Sequence, residues 1–251
     1  MQNHVVRRFA PLALVLGVLS MMGAIPASAA AVPPDATALP HVAKSLADGQ
    51  SLRIVAFGSS STEGVGASSK ATSYPIRLQA ELAASLPPKM TVTVENRGIG
   101  GEDVDDMMRR IPTITAEKPD LVIWQTGTND PLRDVKLGHF ITQTQAGIAA
   151  FRAAGIDVML MGPQLCAAMQ DKAGAMRFRD AVRQIGEEMH VPVIHRYSMM
   201  ERWLARKTLT EDEMLSPDGL HMADGGYHLL AMAVARQILG SHAPKRLLAG
   251  D

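Results

Sequence analysis

The chain has 251 residues, 47% of them hydrophobic and 20% charged, with 25 basic and 25 acidic residues and one cysteine. That length suits one medium domain or two small ones, and the composition excludes a mostly disordered or collagen-like chain. The neutral balance leaves no basic footprint for nucleic acid, and the lone Cys166 can neither close an intrachain disulfide nor build a multi-cysteine zinc site.

The N-terminus differs from the rest. Arg7 and Arg8 precede an apolar run from Phe9 to Ile25, followed by Pro26 and the small residues Ala27-Ser28-Ala29. A basic start, a hydrophobic middle and an Ala-x-Ala exit predict a signal peptide over residues 1–29, cleaved after Ala29. The competing reading is an uncleaved anchor, but the run is at the lower limit for crossing a bilayer and no stop-transfer segment follows. The mature chain is expected to be periplasmic or secreted, slightly acidic and without a membrane span. Residues 30–50, with Pro33, Pro34 and Pro40, read as an extended leader, and residues 51–251 as one domain.

Strand and helix signals then alternate. Leu52 to Phe57 is a β-rich run ending at Gly58. Tyr74 to Leu86 has helical spacing and stops at Pro87-Pro88. A second strand over Met90–Val94 leads to Asn96 and Gly98, and a helix is predicted from Glu102 to Ile111. Asp103, Asp105 and Asp106 read as its solvated start. The apolar strand Leu121–Trp124 follows, then a helix over Phe140–Ala154, a strand over Val158–Met161, a helix over Ala173–Met189, a strand over Val191–Ile194 and a last helix over Gly225–Leu239. Five strands with helices between them predict an α/β fold: a parallel sheet covered on both faces, because each crossover returns through a helix. Reactive groups in such sheets sit on loops beyond the strands' C-terminal ends.

Four loops carry candidate chemistry: Gly58-Ser59-Ser60-Ser61-Thr62-Glu63-Gly64 after the first strand, Asn96 to Asp103 after the second, Gly127-Thr128-Asn129-Asp130 after the third, and Ser216 to His221 before the last helix. Together they resemble the sequence blocks of the SGNH hydrolases, also called the GDSL esterases and lipases. The first resembles that family's Gly-Asp-Ser-Leu turn, with Ser60 at the nucleophile position. The second matches Asn-x-Gly-x-x-Gly at Asn96, Gly98 and Gly101. The third matches Gly-x-Asn-Asp at Gly127, Asn129 and Asp130, and the fourth Asp-x-x-His at Asp218 and His221. The resemblance implies a flavodoxin-like three-layer α/β/α sandwich, a catalytic triad of Ser60, Asp218 and His221, and an oxyanion hole from the N–H groups of Ser60 and Gly101 and the side chain of Asn129. One departure stands out: Ser59 and Ser61 replace the family's Asp and Leu around the nucleophile. Register selects Ser60, two residues after Gly58, and leaves turn hydrogen bonding to its neighbours.

The chemistry is consistent in itself. A serine hydroxyl attacks only when a base takes its proton, and an imidazole, titrating near about 6.5, suits that role. Asp218 is the local group able to fix the tautomer of His221. The order Ser, Asp, His also occurs in α/β-hydrolases, but those carry Gly-x-Ser-x-Gly, and position 62 here is Thr. No His-Glu-x-x-His is present, and Gly98 to Asp103 does not complete a dinucleotide fingerprint. His195 and His228 read as packing or surface residues, the methionine pairs as packing, and Arg97 as either pocket-facing or ion-paired. The expectation is an exported serine esterase acting without metal or organic cofactor on small acyl esters, with an O-acetylated carbohydrate as candidate substrate. The alternatives are an acyltransferase on the same triad and a non-catalytic ligand-binding member of the fold.

Overall fold

Alternate residues of the central strands are buried on opposite faces, which is what a sheet covered on both sides requires. The computed structural model describes residues 38–240 and Ala243, all within the unit Val32–Asp251. The signal-peptide expectation for residues 1–29 lies outside the described residues.

The strands are β1 (Leu52–Gly58), β2 (Val92–Gly98), β3 (Leu121–Gln125), β4 (Asp157–Met161) and β5 (Val193–Ile194). They form one sheet in the order β2-β1-β3-β4-β5, parallel throughout. This is the flavodoxin-like order, with its switch point beside β1. The helices are α1 (Pro40–Asp48), α2 (Ser60–Glu63), α3 (Tyr74–Ala83), α4 (Val104–Ala116), α5 (Asn129–Leu132), α6 (Leu137–Ala153), α7 (Ala167–Asp171), α8 (Met176–Met189), α9 (Arg196–Ala205), α10 (Glu211–Met214) and α11 (Asp224–Leu239).

Ile54, Ala56, Leu121, Ile123 and Met159 pack with Val42 of α1, Leu78 of α3, Met200 of α9 and Leu230 of α11. On the other face Val55, Phe57, Val122, Trp124 and Leu160 pack with Met107 of α4, Phe151 of α6 and Val182 of α8. The result is the expected three-layer α/β/α sandwich. Burying each large apolar side chain contributes about 1.5–3 kcal/mol, offset by ordering entropy. Phe57, Trp124 and Phe151 add an aromatic cluster with ring centroids 5.8, 6.1 and 6.0 Å apart. Among the described residues, no helix is long and apolar enough to cross a membrane.

Several expected boundaries move. Residues 40–48, expected within an extended leader, form α1: Pro40 occupies the first helical turn, where its missing N–H costs nothing, and Gly49 closes the helix at φ 64°. Leu39 and Val42 are buried, and the Val42 N–H donates to Asp157 Oδ2 at 2.9 Å. The expected strand over 90–94 lies at Val92–Gly98 instead, with Leu52 opposite Val92 and Gly58 opposite Gly98. α4 runs past Ile111 through Pro112, because burial of Ile111 and Ile114 outweighs one lost helical hydrogen bond. β5 keeps only Val193–Ile194, since Pro192 has no N–H for a ladder. α9 was not expected; its Met199, Met200 and Trp203 are buried.

Candidate active site

The Ser60 turn is built by the end of β1 and its neighbour β3. Beyond Gly58 the chain turns into α2, whose start is closed by Thr62 N–H to Ser59 O at 3.0 Å and Glu63 N–H to Ser59 O at 2.9 Å. Gln125, the last residue of β3, is 1% exposed. Its Oε1 accepts from the Ser59 N–H at 2.9 Å, the Ser59 hydroxyl at 3.1 Å and the Thr62 hydroxyl at 3.1 Å. Ser59 and Ser61 are buried while Ser60 stays partly open. β2 approaches this turn through Gly98, where a Cβ would lie 2.0 Å from the Glu63 nitrogen. Asn96 locks the approach, donating to Glu63 O at 3.2 Å and accepting from Gly98 N–H at 2.9 Å.

The loop before α11 supplies the other two residues. His221 Nε2 lies 2.8 Å from Ser60 Oγ, and His221 Nδ1 lies 2.6 Å from Asp218 Oδ2. With the proton on Nδ1, Asp218 accepts it and Nε2 accepts from the serine. The other Asp218 oxygen, Oδ1, accepts from the Ser216 hydroxyl at 2.7 Å and from the N–H groups of Leu220 and His221, each at 2.9 Å. Partial burial alone would raise the Asp218 pKa, but the bonds from His221, Ser216 and the two N–H groups hold it well below the usual carboxylate range. A bridge between Leu215 and Met222 closes the loop's base. Gly66 packs beneath it at φ +89°, where a Cβ would meet Met222 O at 2.5 Å and His221 Cβ at 2.9 Å. The Tyr227 hydroxyl donates to Val65 O at 2.6 Å, and Asp224 accepts from Ser68 N–H at 2.9 Å and Ser68 Oγ–H at 2.5 Å.

The second and third loops meet beside Ser60. A Cβ on Gly100 would lie 3.9 Å from Ser60 Cβ, and one on Gly101, at φ +78°, would meet nothing within 4 Å. The Gly100 N–H donates to Glu63 Oε2 at 2.8 Å. Among the described residues, neither the Ser60 nor the Gly101 N–H is taken up by a backbone acceptor. Asn129 donates one amide hydrogen to Glu102 O at 2.8 Å, which sets the side chain next to Gly101 and leaves its second hydrogen over. Asp130 ties the loops together, accepting from Val104 N–H at 2.8 Å and Gly127 N–H at 3.1 Å. Burial pushes its pKa up to about 6 against the lowering effect of these bonds.

Arg97 is ion-paired, with Glu95 at 2.6 Å and Glu117 at 2.8 Å. Asp103, expected to be solvated, is 6% exposed because it caps α4, accepting from Asp105 and Asp106 N–H at 3.0 and 3.1 Å. The sequence reading missed Gln125, although a glutamine closing an apolar strand is a usable signal for a buried polar role. It also missed Glu63 as a ligand of the second loop.

The non-GDSL lipase-like family model matches residues 24–240, a description in keeping with Ser59 and Ser61 around Ser60. No curated protein matches the chain in sequence. Among solved structures, a lipase/acylhydrolase from Enterococcus faecalis is 26% identical with a TM-score of 0.64, over 76% of this chain and 96% of the other. An acetyl xylan esterase variant from Geobacillus stearothermophilus is 23% identical with a TM-score of 0.63, over 74% and 94%. A two-domain esterase active on acetylated mannans is 20% identical with a TM-score of 0.66, over 83% of this chain and 55% of the other. The last two likenesses speak to the fold alone. With the family model spanning most of its length, the chain belongs to the non-GDSL lipase-like family, a group of ester-bond hydrolases on the SGNH fold.

Proposed function

We propose that this ester-bond hydrolase is an exported serine esterase that cleaves small acyl esters through Ser60, His221 and Asp218. The observation that carries the proposal is the unbroken relay from Ser60 Oγ to His221 Nε2 at 2.8 Å and from His221 Nδ1 to Asp218 at 2.6 Å. His221 takes the hydroxyl proton as Ser60 Oγ bonds to the ester carbonyl carbon. The carbonyl oxygen becomes an oxyanion, received by the N–H groups of Ser60 and Gly101 and the free amide hydrogen of Asn129. His221 then gives its proton to the leaving alkoxide as the C–O bond breaks, which leaves an acyl-serine. A water molecule, deprotonated by His221, attacks that ester, and collapse of the second tetrahedral intermediate returns the proton to Ser60. Asp218 stays ionised and stabilises the imidazolium at each step.

The substrate proposed is an O-acetylated carbohydrate. Support comes from the fold shared with an acetyl xylan esterase and an esterase active on acetylated mannans, and from the open space around Gly101. The test is a p-nitrophenyl ester series of increasing acyl length beside acetylated xylan and mannan, with Ser60→Ala as control. Turnover is expected to be highest for acetyl and to release acetate from at least one polysaccharide. A preference for long acyl chains, or no acetate release, would overturn the substrate class. Export is proposed on the residue 1–29 pattern; an N-terminus at Ala30 in the protein recovered from outside the cytoplasm is the expected result, and an intact Met1 there would contradict it.

A further inference from the structure

Gln164 lies on the loop after β4, outside all four sequence blocks, and is 1% exposed. Its amide touches two loops of the candidate site at once. The Nε2 group donates to Leu220 O at 3.1 Å, one residue before His221. Its Oε1 accepts from the Thr128 hydroxyl at 3.1 Å, one residue before Asn129. The same Oε1 accepts from Arg196 Nη2 at 2.6 Å. Arg196, the first residue of α9, is fully buried and donates from Nε to Gly162 O at 3.1 Å, so the guanidinium grips both the loop that carries Gln164 and Gln164 itself. Among the described residues, no carboxylate pairs with this arginine; its polar partners are this carbonyl and this amide. A buried charge is costly unless it is hydrogen-bonded; here one bond goes to Gly162 O and one to Gln164, while Nη1 is buried without a partner.

We propose that Gln164, anchored by Arg196, is a positioning residue that sets His221 and Asn129 relative to Ser60. The amide is suited to this because it accepts and donates together. Its oxygen takes the hydrogens of Arg196 and Thr128, and its nitrogen supplies the hydrogen that fixes the Leu220 carbonyl. The inference rests on the triad and oxyanion roles proposed above.

The donor end can be removed by itself. Gln164→Glu keeps an acceptor for Arg196 and Thr128 and adds attraction to the guanidinium, but it cannot donate to Leu220 O. The expected result is a Tm at or above that of the unaltered protein. The labelling rate of Ser60 by a fluorophosphonate, and kcat on p-nitrophenyl acetate, should fall about 10- to 100-fold with KM within about twofold, as expected when a reacting group is misplaced. A purely structural glutamine would give recovery of activity together with Tm. A folded Gln164→Glu protein with unaltered labelling and kcat overturns the proposal. If that variant does not fold, Thr128→Val decides, because it is isosteric and removes only the bond to Gln164: lowered kcat at unchanged KM supports the role, and unaltered kcat overturns it. Failure of the unaltered protein to label would sink the triad reading as well, whereas equal labelling of both proteins sinks this inference alone.

Discussion

The side-chain oxygen of Gln125 lies 2.9 Å from the backbone nitrogen of Ser59, and the same oxygen takes the hydroxyls of Ser59 and Thr62. One buried acceptor therefore holds the residue before Ser60 and the residue two beyond it. At the position where the resembled family carries Asp, Ser59 is held by an acceptor from the neighbouring strand β3.

Gln125→Leu should therefore leave three donors without a partner in the core. Each unsatisfied buried group costs about 1–3 kcal/mol, less what local rearrangement recovers. Thermal unfolding should show a loss of about 2–4 kcal/mol, and kcat should fall at least about tenfold as the Ser60 turn loosens. An unchanged Tm would mean that the turn is held by its backbone bonds alone.

Asp130 makes stability depend on pH. Its pKa is about 6 in the fold against an ordinary 3.8, so between these values the folded chain binds more protons than the unfolded one. The stability contributed is full below about pH 4, falls as pH rises towards about 6, and is constant beyond; the span is at most roughly 3 kcal/mol. Asp130→Asn should remove this fall, while the Asn oxygen keeps one of the two N–H partners. The check is Tm against pH for both proteins. A difference that stays constant from pH 4 to 7 would contradict the buried carboxylate.

Gly66 supports the histidine loop from below. Gly66→Ala adds a Cβ 2.5 Å from Met222 O and 2.9 Å from His221 Cβ, at a φ of +89° that side chains rarely adopt. The expected cost is about 2–4 kcal/mol of stability. A fall in kcat larger than the change in KM should accompany it as His221 is displaced from Ser60. Wild-type kcat in the folded variant would show that the loop absorbs the methyl group elsewhere.

What could be read from the sequence, and what could not, follows from the range of the interactions. The strand Leu52–Phe57 and the helix starting at Tyr74 carry local periodicity, and the order of strands and helices was enough for the layered fold. The family resemblance of the loop blocks grouped Ser60, Asp218 and His221, and the structure sets them within hydrogen-bond distance. α1 was missed because Pro33, Pro34 and Pro40 read as extended chain, whereas Pro40 at a helix start and the buried Val42 are compatible with a helix only once Asp157 of β4 is known to face it. Arg196 and Gln164 left no local pattern, since their partners lie 32 to 56 residues away. Pro112 inside α4 likewise obeys packing, not propensity.

Covalent labelling distinguishes whether Ser60, activated by His221, is the nucleophile. A fluorophosphonate probe followed by peptide mass spectrometry should place a single adduct on Ser60. Labelling should persist in Ser59→Ala and Ser61→Ala and vanish in Ser60→Ala and His221→Ala. An adduct on Ser59 or Ser61, or labelling that survives His221→Ala at the original rate, would contradict the account.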